Sequence, residues 1–203
     1  APYSSFNFAE SRDGSVIALA ASRPEGTEVY LITGGERKTL LTTKAALRTL
    51  TLSADGKYIV VPSNERTGRN ELSLTAYNVQ TGERLNELFD EGGSIEPSKF
   101  SPVPGDARLA ATSDQSGVHA PLIWNVETGE RTDISLSGIE GEVYVWDWSP
   151  DATRLLLCQI HAARTQLYTY EIASGQLNKL EHPSGTFSGG YFASEGEIFV
   201  TYT

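Results

Sequence analysis

The chain has very little of the chemistry on which many enzymes and membrane proteins depend. It contains no methionine and one cysteine among its 203 residues. A single cysteine excludes an internal disulfide and a cysteine-rich zinc cluster. No apolar run approaches the ~20 residues of a transmembrane helix, so we expect no membrane partner. We interpret the missing methionine as the mark of a processed chain or of a piece excised from a longer one.

Basic residues are scarce relative to acidic ones. The chain has 16 Lys and Arg against 26 Asp and Glu, which gives a net charge of −10. Nucleic acids and anionic membranes require a basic surface, so this balance disfavours both as partners. Cys158 ends the apolar run Leu155-Leu-Leu-Cys158, which predicts a buried, unreactive thiol. The lack of disulfides and of a recognisable signal peptide favours a cytoplasmic location.

What the chain does have is a repeat. Four times a large aromatic residue stands five positions before a glycine, at spacings of 47, 47 and 46 residues. These residues are Tyr30, Tyr77, Trp124 and Tyr170. Serine-containing turns, such as Ser53-Ala-Asp-Gly56 and Ser149-Pro-Asp-Ala152, keep nearly the same period. A period in the mid-forties with strand-like content predicts the blades of a β-propeller, with the four aromatic residues buried between neighbouring blades.

Each unit reads as four antiparallel strands. In the second unit, residues 47–52 alternate between apolar and polar side chains, as a half-buried strand does. Asp55-Gly56 predicts a tight hairpin, and Tyr58-Ile-Val-Val61 a buried strand. Residues 44–48 are the best helical candidate and are too short to form a helix alone.

The predicted fold class is all-β, a β-propeller fragment of four complete four-stranded antiparallel blades plus a partial fifth. The whole chain is one partial propeller domain. Its blades are predicted at about residues 6–42, 47–90, 96–137 and 143–182, with two strands of a fifth over 189–203. Four and a half blades leave two bare edges, which natural domains avoid. We therefore expect the chain to be the front part of a larger propeller.

The blades resemble those of two known groups. An aromatic residue precedes a Ser-Pro-Asp turn in Trp148-Ser-Pro-Asp151, and an aromatic-x-x-x-Ser-Gly segment begins 22 residues after Trp148 at Tyr170. This pattern resembles the WD-like propeller of the prolyl oligopeptidase and acylaminoacyl-peptidase family of serine hydrolases. It also resembles the periplasmic propeller of the Tol system. Both resemblances cover essentially the whole chain.

The two resemblances imply different functions. The peptidase resemblance implies a non-catalytic domain that caps an α/β-hydrolase domain of the same parent chain and restricts access to peptides. The Tol resemblance implies a non-enzymatic scaffold for protein–protein interaction, of the Tol type or WD-like, and a periplasmic location. A propeller that is itself catalytic is a third possibility and has the least support, since no paired carboxylates form a motif independent of the blades.

No residue of this chain is predicted to be catalytic, and neither a metal nor another cofactor is expected. The motif Gly-x-Ser-x-Gly does not occur. His119, His161 and His182 therefore lack the serine motif of a triad, and we interpret them as loop residues. The acidic pairs Asp90-Glu91 and Glu140-Gly-Glu142 are interpreted as solvated loop carboxylates.

One set of residues is a candidate binding site. The loops between the second and third strands of each blade should emerge on one face of the propeller, and they carry basic side chains. The candidate binding residues are Arg66, Arg69, His119, His161 and Arg164, to which Arg23 of the first blade can be added. Such a face could meet a negatively charged partner or a peptide carboxylate. The alternative is ordinary solvated loops. The repeated Glu-Arg pairs at the opposite face are interpreted as surface charges of little energetic value.

Overall fold

The computed structural model describes residues 5–194 and 196–202. These residues form eighteen β-strands and no helix, so none of them belongs to a helix that could span a membrane. Four sheets contain four strands each, in sequential order, and a fifth contains two. The predicted fold class is confirmed. Glu195 and Thr203, which belong to the predicted fifth blade, lie outside the described residues.

Each sheet is one blade, and all paired strands are antiparallel. Blade 1 contains β1 (Ser5–Glu10), β2 (Val16–Arg23), β3 (Gly26–Thr33) and β4 (Glu36–Thr43). Blade 2 contains β5 (Thr51–Leu52), β6 (Tyr58–Ser63), β7 (Ser73–Asn78) and β8 (Arg84–Leu88). Blade 3 contains β9 (Ile95–Phe100), β10 (Arg108–Ser113), β11 (Ala120–Asn125) and β12 (Arg131–Asp133). Blade 4 contains β13 (Glu142–Trp148), β14 (Arg154–His161), β15 (Arg164–Glu171) and β16 (Gln176–Lys179). The partial blade 5 contains β17 (Phe187–Phe192) and β18 (Ile198–Tyr202).

The repeated serine stabilises the turn between the first and second strands. In blade 2, Ser53 Oγ donates to Asp55 Oδ1 at 2.8 Å and accepts a hydrogen bond from the backbone N–H of Tyr58 at 2.9 Å. Blades 1 and 4 repeat both bonds around Ser11 and Ser149. Because each serine satisfies one backbone donor and holds one carboxylate, the turn is determined locally by its own sequence.

The first strand of blade 2 is shorter than the sequence predicts. Only Thr51 and Leu52 form the regular ladder with β6, and Leu47 makes an isolated bridge to Ser63. Extending the register of Thr51 with Val60 would place Thr49 opposite Pro62. Proline has no backbone N–H to donate, so the ladder is interrupted there and resumes out of register.

The hydrophobic core lies between the blades. Both sides of the inner strands are buried: in blade 2, Ile59 packs toward blade 1 and Val60 packs toward blade 3. This two-sided burial explains the continuous apolar run of β6. A third cluster joins blades 3 and 4, and a smaller one around Cys158, Leu167 and Phe187 joins blades 4 and 5. Each fully buried aliphatic side chain contributes about 1.5–3 kcal/mol.

The four repeated aromatic residues are not equivalent. Trp124 is fully buried between blades 2 and 3, and Tyr170 is buried between blades 3 and 4. Tyr77 is only half-buried at the contact of blades 1 and 2. Tyr30 is buried, but its strand neighbours Val29 and Leu31 pack toward blade 2, so its ring lies on the other side of the sheet. There the Arg37 guanidinium covers it, at 4.6 Å from the ring centroid.

Candidate functional site

The loops between second and third strands share one end of the sheets, which we call the loop face. The connections between consecutive blades lie at the same end, because the loops hydrogen-bond to them. Asn64 Oδ1 accepts from Ala46 N in the connection of blades 1 and 2, and Asp114 Oδ1 accepts from Ser94 N in the connection of blades 2 and 3. The other end, the turn face, is linked in the same way by Gly105 N, which donates to Asp55 Oδ2 at 2.9 Å. The loop face carries all five candidate binding residues and Arg23.

Arg66 and Arg69 lie in the loop between β6 and β7. Arg66 Nη1 is 2.9 Å from Glu87 Oε2, and its guanidinium lies 4.1 Å from the centroid of the Phe89 ring. Arg66 is therefore held against its own blade by an ion pair and an aromatic ring. Arg69 is exposed, and it forms no ion pair with any described residue.

His119 belongs to a three-residue cluster that the sequence did not predict. Its Nδ1 lies 3.3 Å from Glu142 Oε1 and 3.1 Å from the hydroxyl of Tyr144, which donates to Glu142 Oε2 at 2.9 Å. The hydrogen bonds from Tyr144 and His119 lower the pKa of Glu142. Burial, together with the hydrogen bond to Glu142, raises the pKa of Tyr144 to about 12. Glu142 thus stays ionised and is a poor general acid.

His161 and Arg164 flank the hairpin between β14 and β15 and line a cavity of about 290 Å³. His161 Nε2 lies 3.8 Å from Glu140 Oε2, whereas Arg164 is exposed and makes no ion pair within the described ranges. His182 lines the same cavity. Its Nε2 accepts from the backbone N–H of Leu167, and its Nδ1 lies 2.9 Å from the Pro183 carbonyl oxygen, an arrangement that fits the neutral Nδ1–H form.

The charge of the loop face is mixed. Four of its basic side chains lie within 4 Å of carboxylates on the same blade, on the next blade or in the connection that precedes the blade. The pairs are Arg23 with Glu28, Arg66 with Glu87, His119 with Glu142, and His161 with Glu140. Of the five candidate binding residues, Arg69 and Arg164 form no ion pair within the described residues. The loop order predicted the shared face, but nothing in the local sequence indicated the carboxylate partners.

The described residues offer neither a metal site nor an activated thiol. No group of three or more His, Cys, Asp or Glu side chains among them is arranged to hold a metal ion. Burial raises the pKa of the Cys158 thiol to about 12. This thiol stays protonated near neutral pH and is a poor nucleophile.

Comparison with known proteins identifies the fold. No family model and no curated protein matches the chain. TolB from Acinetobacter baumannii aligns over 96% of this chain and 48% of its own, with 16% identity and a TM-score of 0.62. One of the structures from a study of two prolyl endopeptidases aligns over 98% of this chain and 32% of its own, with 12% identity and a TM-score of 0.72.

A third solved structure is a propeller domain alone. The β-propeller of the trilobed protease from Pyrococcus furiosus, which has an open velcro topology, aligns over 97% of this chain and 62% of its own, with 14% identity and a TM-score of 0.67. The chain therefore has the fold of the Tol-type and prolyl-endopeptidase-type propellers. It spans about half the length of TolB and about a third of the prolyl endopeptidase chain.

Proposed function

We propose that this chain is the non-catalytic propeller domain of a prolyl-oligopeptidase-like serine peptidase, in which it caps the hydrolase domain and restricts the access of peptides. The likeness to the prolyl endopeptidase and trilobed protease propellers supports this assignment. Inter-domain dynamics has a role in the catalysis and specificity of the prolyl endopeptidases, as a capping function requires. We also propose a cytoplasmic location.

The observation that carries the placement of this chain within a larger propeller is an uncovered blade surface. Ile59, Leu109 and Leu155 stand at one repeat position and are fully buried against the preceding blade. Ile17 holds the same position in blade 1 and is only half-buried. Beside it, Phe8 is 66% exposed. Because this position belongs to a blade interface in every other complete blade, we propose that a further blade of the parent protein covers it.

The other end of the repeat carries a similar surface. In blade 5, a Cβ on Gly190 would lie 3.1 Å from Trp146, so this side of β17 faces blade 4. Tyr191, the next residue, projects to the opposite side and stacks on Phe199 at 5.7 Å. Both rings are more than half exposed. We propose that the remaining strands of blade 5 and at least one further blade cover them.

The peptidase assignment is tested by comparing this chain with the product of the complete gene. We expect the 203-residue chain to hydrolyse succinyl-Gly-Pro-p-nitroanilide no faster than buffer. The complete product should cleave it, and a serine-directed inhibitor should abolish the cleavage. For the complete product, kcat/KM should fall steeply between short peptides and a folded protein that contains the same site. A complete product without Gly-x-Ser-x-Gly and without inhibitor-sensitive cleavage would overturn the assignment.

The alternative is a Tol-type scaffold for protein–protein interaction, in which case the protein is periplasmic. The likeness to TolB favours it, since 96% of this chain aligns with 48% of the TolB chain. The same comparison of gene products separates the two proposals. A complete product that ends after a few more blades supports the scaffold, and one that continues into a hydrolase domain supports the peptidase.

We further propose that the loop face contacts the rest of the parent protein or a peptide carboxylate. Arg69 and Arg164 are the side chains to test, because both are exposed and neither is neutralised by a described carboxylate. Replacing both with Glu should weaken binding to the remaining parent chain supplied in trans, and the effect should shrink as salt increases. Arg12→Glu on the turn face is the control. Equal binding by both variants at low salt would leave ordinary solvated loops as the correct interpretation.

A further inference from the structure

The contact between blades 1 and 2 differs from the next contact at one position of the repeat. Val16 and Tyr58 each stand two residues after the turn glycine and project toward the following blade. Tyr58 is 1% exposed and fills the contact of blades 2 and 3. Valine is much smaller than tyrosine. Val16 therefore leaves unfilled, between blades 1 and 2, the space that the Tyr58 ring occupies between blades 2 and 3.

A cavity of about 530 Å³ occupies that space. It opens on the turn face and is nearly twice as large as the loop-face cavity beside His161. Its apolar wall is formed by Val16, Leu31 and Val79. Ligand sites in proteins are concavities of roughly 300–1,000 Å³, lined mainly by apolar side chains with a few polar groups. The size and wall of this cavity match that description.

Two lysines make the cavity more favourable for a negatively charged ligand than for a neutral or positively charged one. Lys38 and Lys57 line it together with one carboxylate, Glu36. Lys57 Nζ lies 3.5 Å from Glu127 Oε1, so its charge is partly balanced. Lys38 Nζ makes only long contacts, of 3.5 and 3.4 Å, with the carbonyl oxygens of Gln80 and Thr81, and no ion pair with a described residue. Its ammonium group can therefore receive an anion.

We infer that this cavity binds a small organic acid, whose branched or aromatic group packs on the apolar wall and whose carboxylate meets Lys38. The apolar wall supplies the burial that drives binding. The ammonium selects the carboxylate over a neutral or cationic head group. This inference does not depend on the peptidase assignment, because the cavity lies between two complete blades and at the opposite face from the candidate loop residues.

The test is a titration of the ¹⁵N-labelled chain with 4-phenylbutyrate, followed by NMR. We expect saturable shifts confined to the amides around Val16, Lys38 and Val79, and contacts between the probe's ring protons and the methyl groups of Val16 and Leu31. The neutral analogue 4-phenylbutanol should bind about three- to fivefold more weakly, as expected for the loss of one solvent-exposed ion pair. Shifts that do not saturate, or that spread over the whole surface, would overturn the inference.

Two variants separate the apolar and charged contributions. Val16→Tyr places in blade 1 the residue that blade 2 already carries, and it should weaken binding about tenfold or more by filling the cavity. Lys38→Gln should bring the acid and the alcohol to equal affinity, whereas Lys44→Gln on the loop face should change nothing. Unchanged binding by folded Val16→Tyr would refute the site. If that variant does not fold, missing probe contacts to Val16 and Leu31 in the wild-type chain refute it equally.

Discussion

Arg131 Nη1 lies 2.5 Å from Asp90 Oδ1, and this ion pair joins the outer strand of blade 3 to the connection that leaves blade 2. Asp90 is 5% exposed, and its second oxygen accepts a hydrogen bond from Ser113 Oγ. Arg131 also reaches Asp133 Oδ1, at 2.8 Å. The interpretation of the Glu-Arg turns as surface charges of little value is therefore wrong for Arg131, and the interpretation of Asp90 as a solvated loop carboxylate is wrong as well.

Removing this arginine should destabilise the fold strongly. Arg131→Met would leave the Asp90 carboxylate buried without its charge partner, which costs about 3–5 kcal/mol. Arg84 stands at the same repeat position in blade 2, is largely exposed and pairs with Glu87. Arg84→Met should cost no more than ~1 kcal/mol. Urea unfolding of both variants measures the difference, and equal small losses would show that the Arg131–Asp90 pair does not stabilise the blade contact.

Trp124 should be the most sensitive of the four repeated aromatic residues. It is fully buried between blades 2 and 3, so Trp124→Ala should cost about 3–5 kcal/mol in denaturant unfolding. Its Nε1 is buried without a hydrogen-bond acceptor among the described residues. Trp124→Phe therefore removes no hydrogen bond and should cost much less. A loss below about 1 kcal/mol for the alanine variant would contradict the observed packing.

Replacing the two central residues of the hairpin between His161 and Arg164 should stabilise the fold. These two residues, Ala162 and Ala163, have φ values of 48° and 59°, a conformation that Asn-Gly adopts far more readily. Both are exposed, so replacing them with Asn-Gly loses no packing. The double variant should raise the free energy of unfolding by about 1–2 kcal/mol. Ala120→Gly, in the regular strand β11, is the control and should lower it by about 0.5–1 kcal/mol. Equal effects would contradict backbone strain at the hairpin.

The serine turns should make the stability depend on pH in the acid range. Hydrogen bonds from Ser149 and Thr153 lower the pKa of Asp151 from 3.8 to about 2. Bonds from Ser15 and Ser11 lower that of Asp13 in the same way. A carboxyl group whose pKa is lower in the folded state than in the unfolded state stabilises the fold at a pH above its unfolded-state pKa. This stabilisation is lost as the pH falls through the folded-state pKa. The stabilisation should therefore disappear between about pH 4 and pH 2.

Carboxyl NMR measures these two titrations directly. Both midpoints should lie near 2. Asp151→Asn should flatten the pH dependence of the urea midpoint in this range, whereas Glu130→Gln, in an exposed turn, should leave it unchanged. A midpoint near 3.8 for Asp151 would show that the turn does not hold its carboxylate in solution.

The blades could be predicted from the sequence because their signals are local. The Ser53 turn binds its own Asp55 and the backbone of Tyr58, so a few neighbouring residues determine the hairpin. The alternation of apolar and polar residues and the 46–47-residue period show that the same blade structure recurs along the chain. The shared loop face also follows from strand order, since second-to-third-strand loops emerge at one end of antiparallel blades.

The residues that meet across blades were decided only by the tertiary structure. Arg131 pairs with Asp90, which is 41 positions away in the sequence, and His119 contacts Glu142, which is 23 positions away. The cavity at Val16 depends on the sizes of side chains contributed by two blades. Such contacts depend on how neighbouring sheets pack, and no local sequence pattern encodes the distance between two sheets. For this reason the repeat specified each blade, while the charge balance of the loop face and the space between blades 1 and 2 emerged only from their assembly.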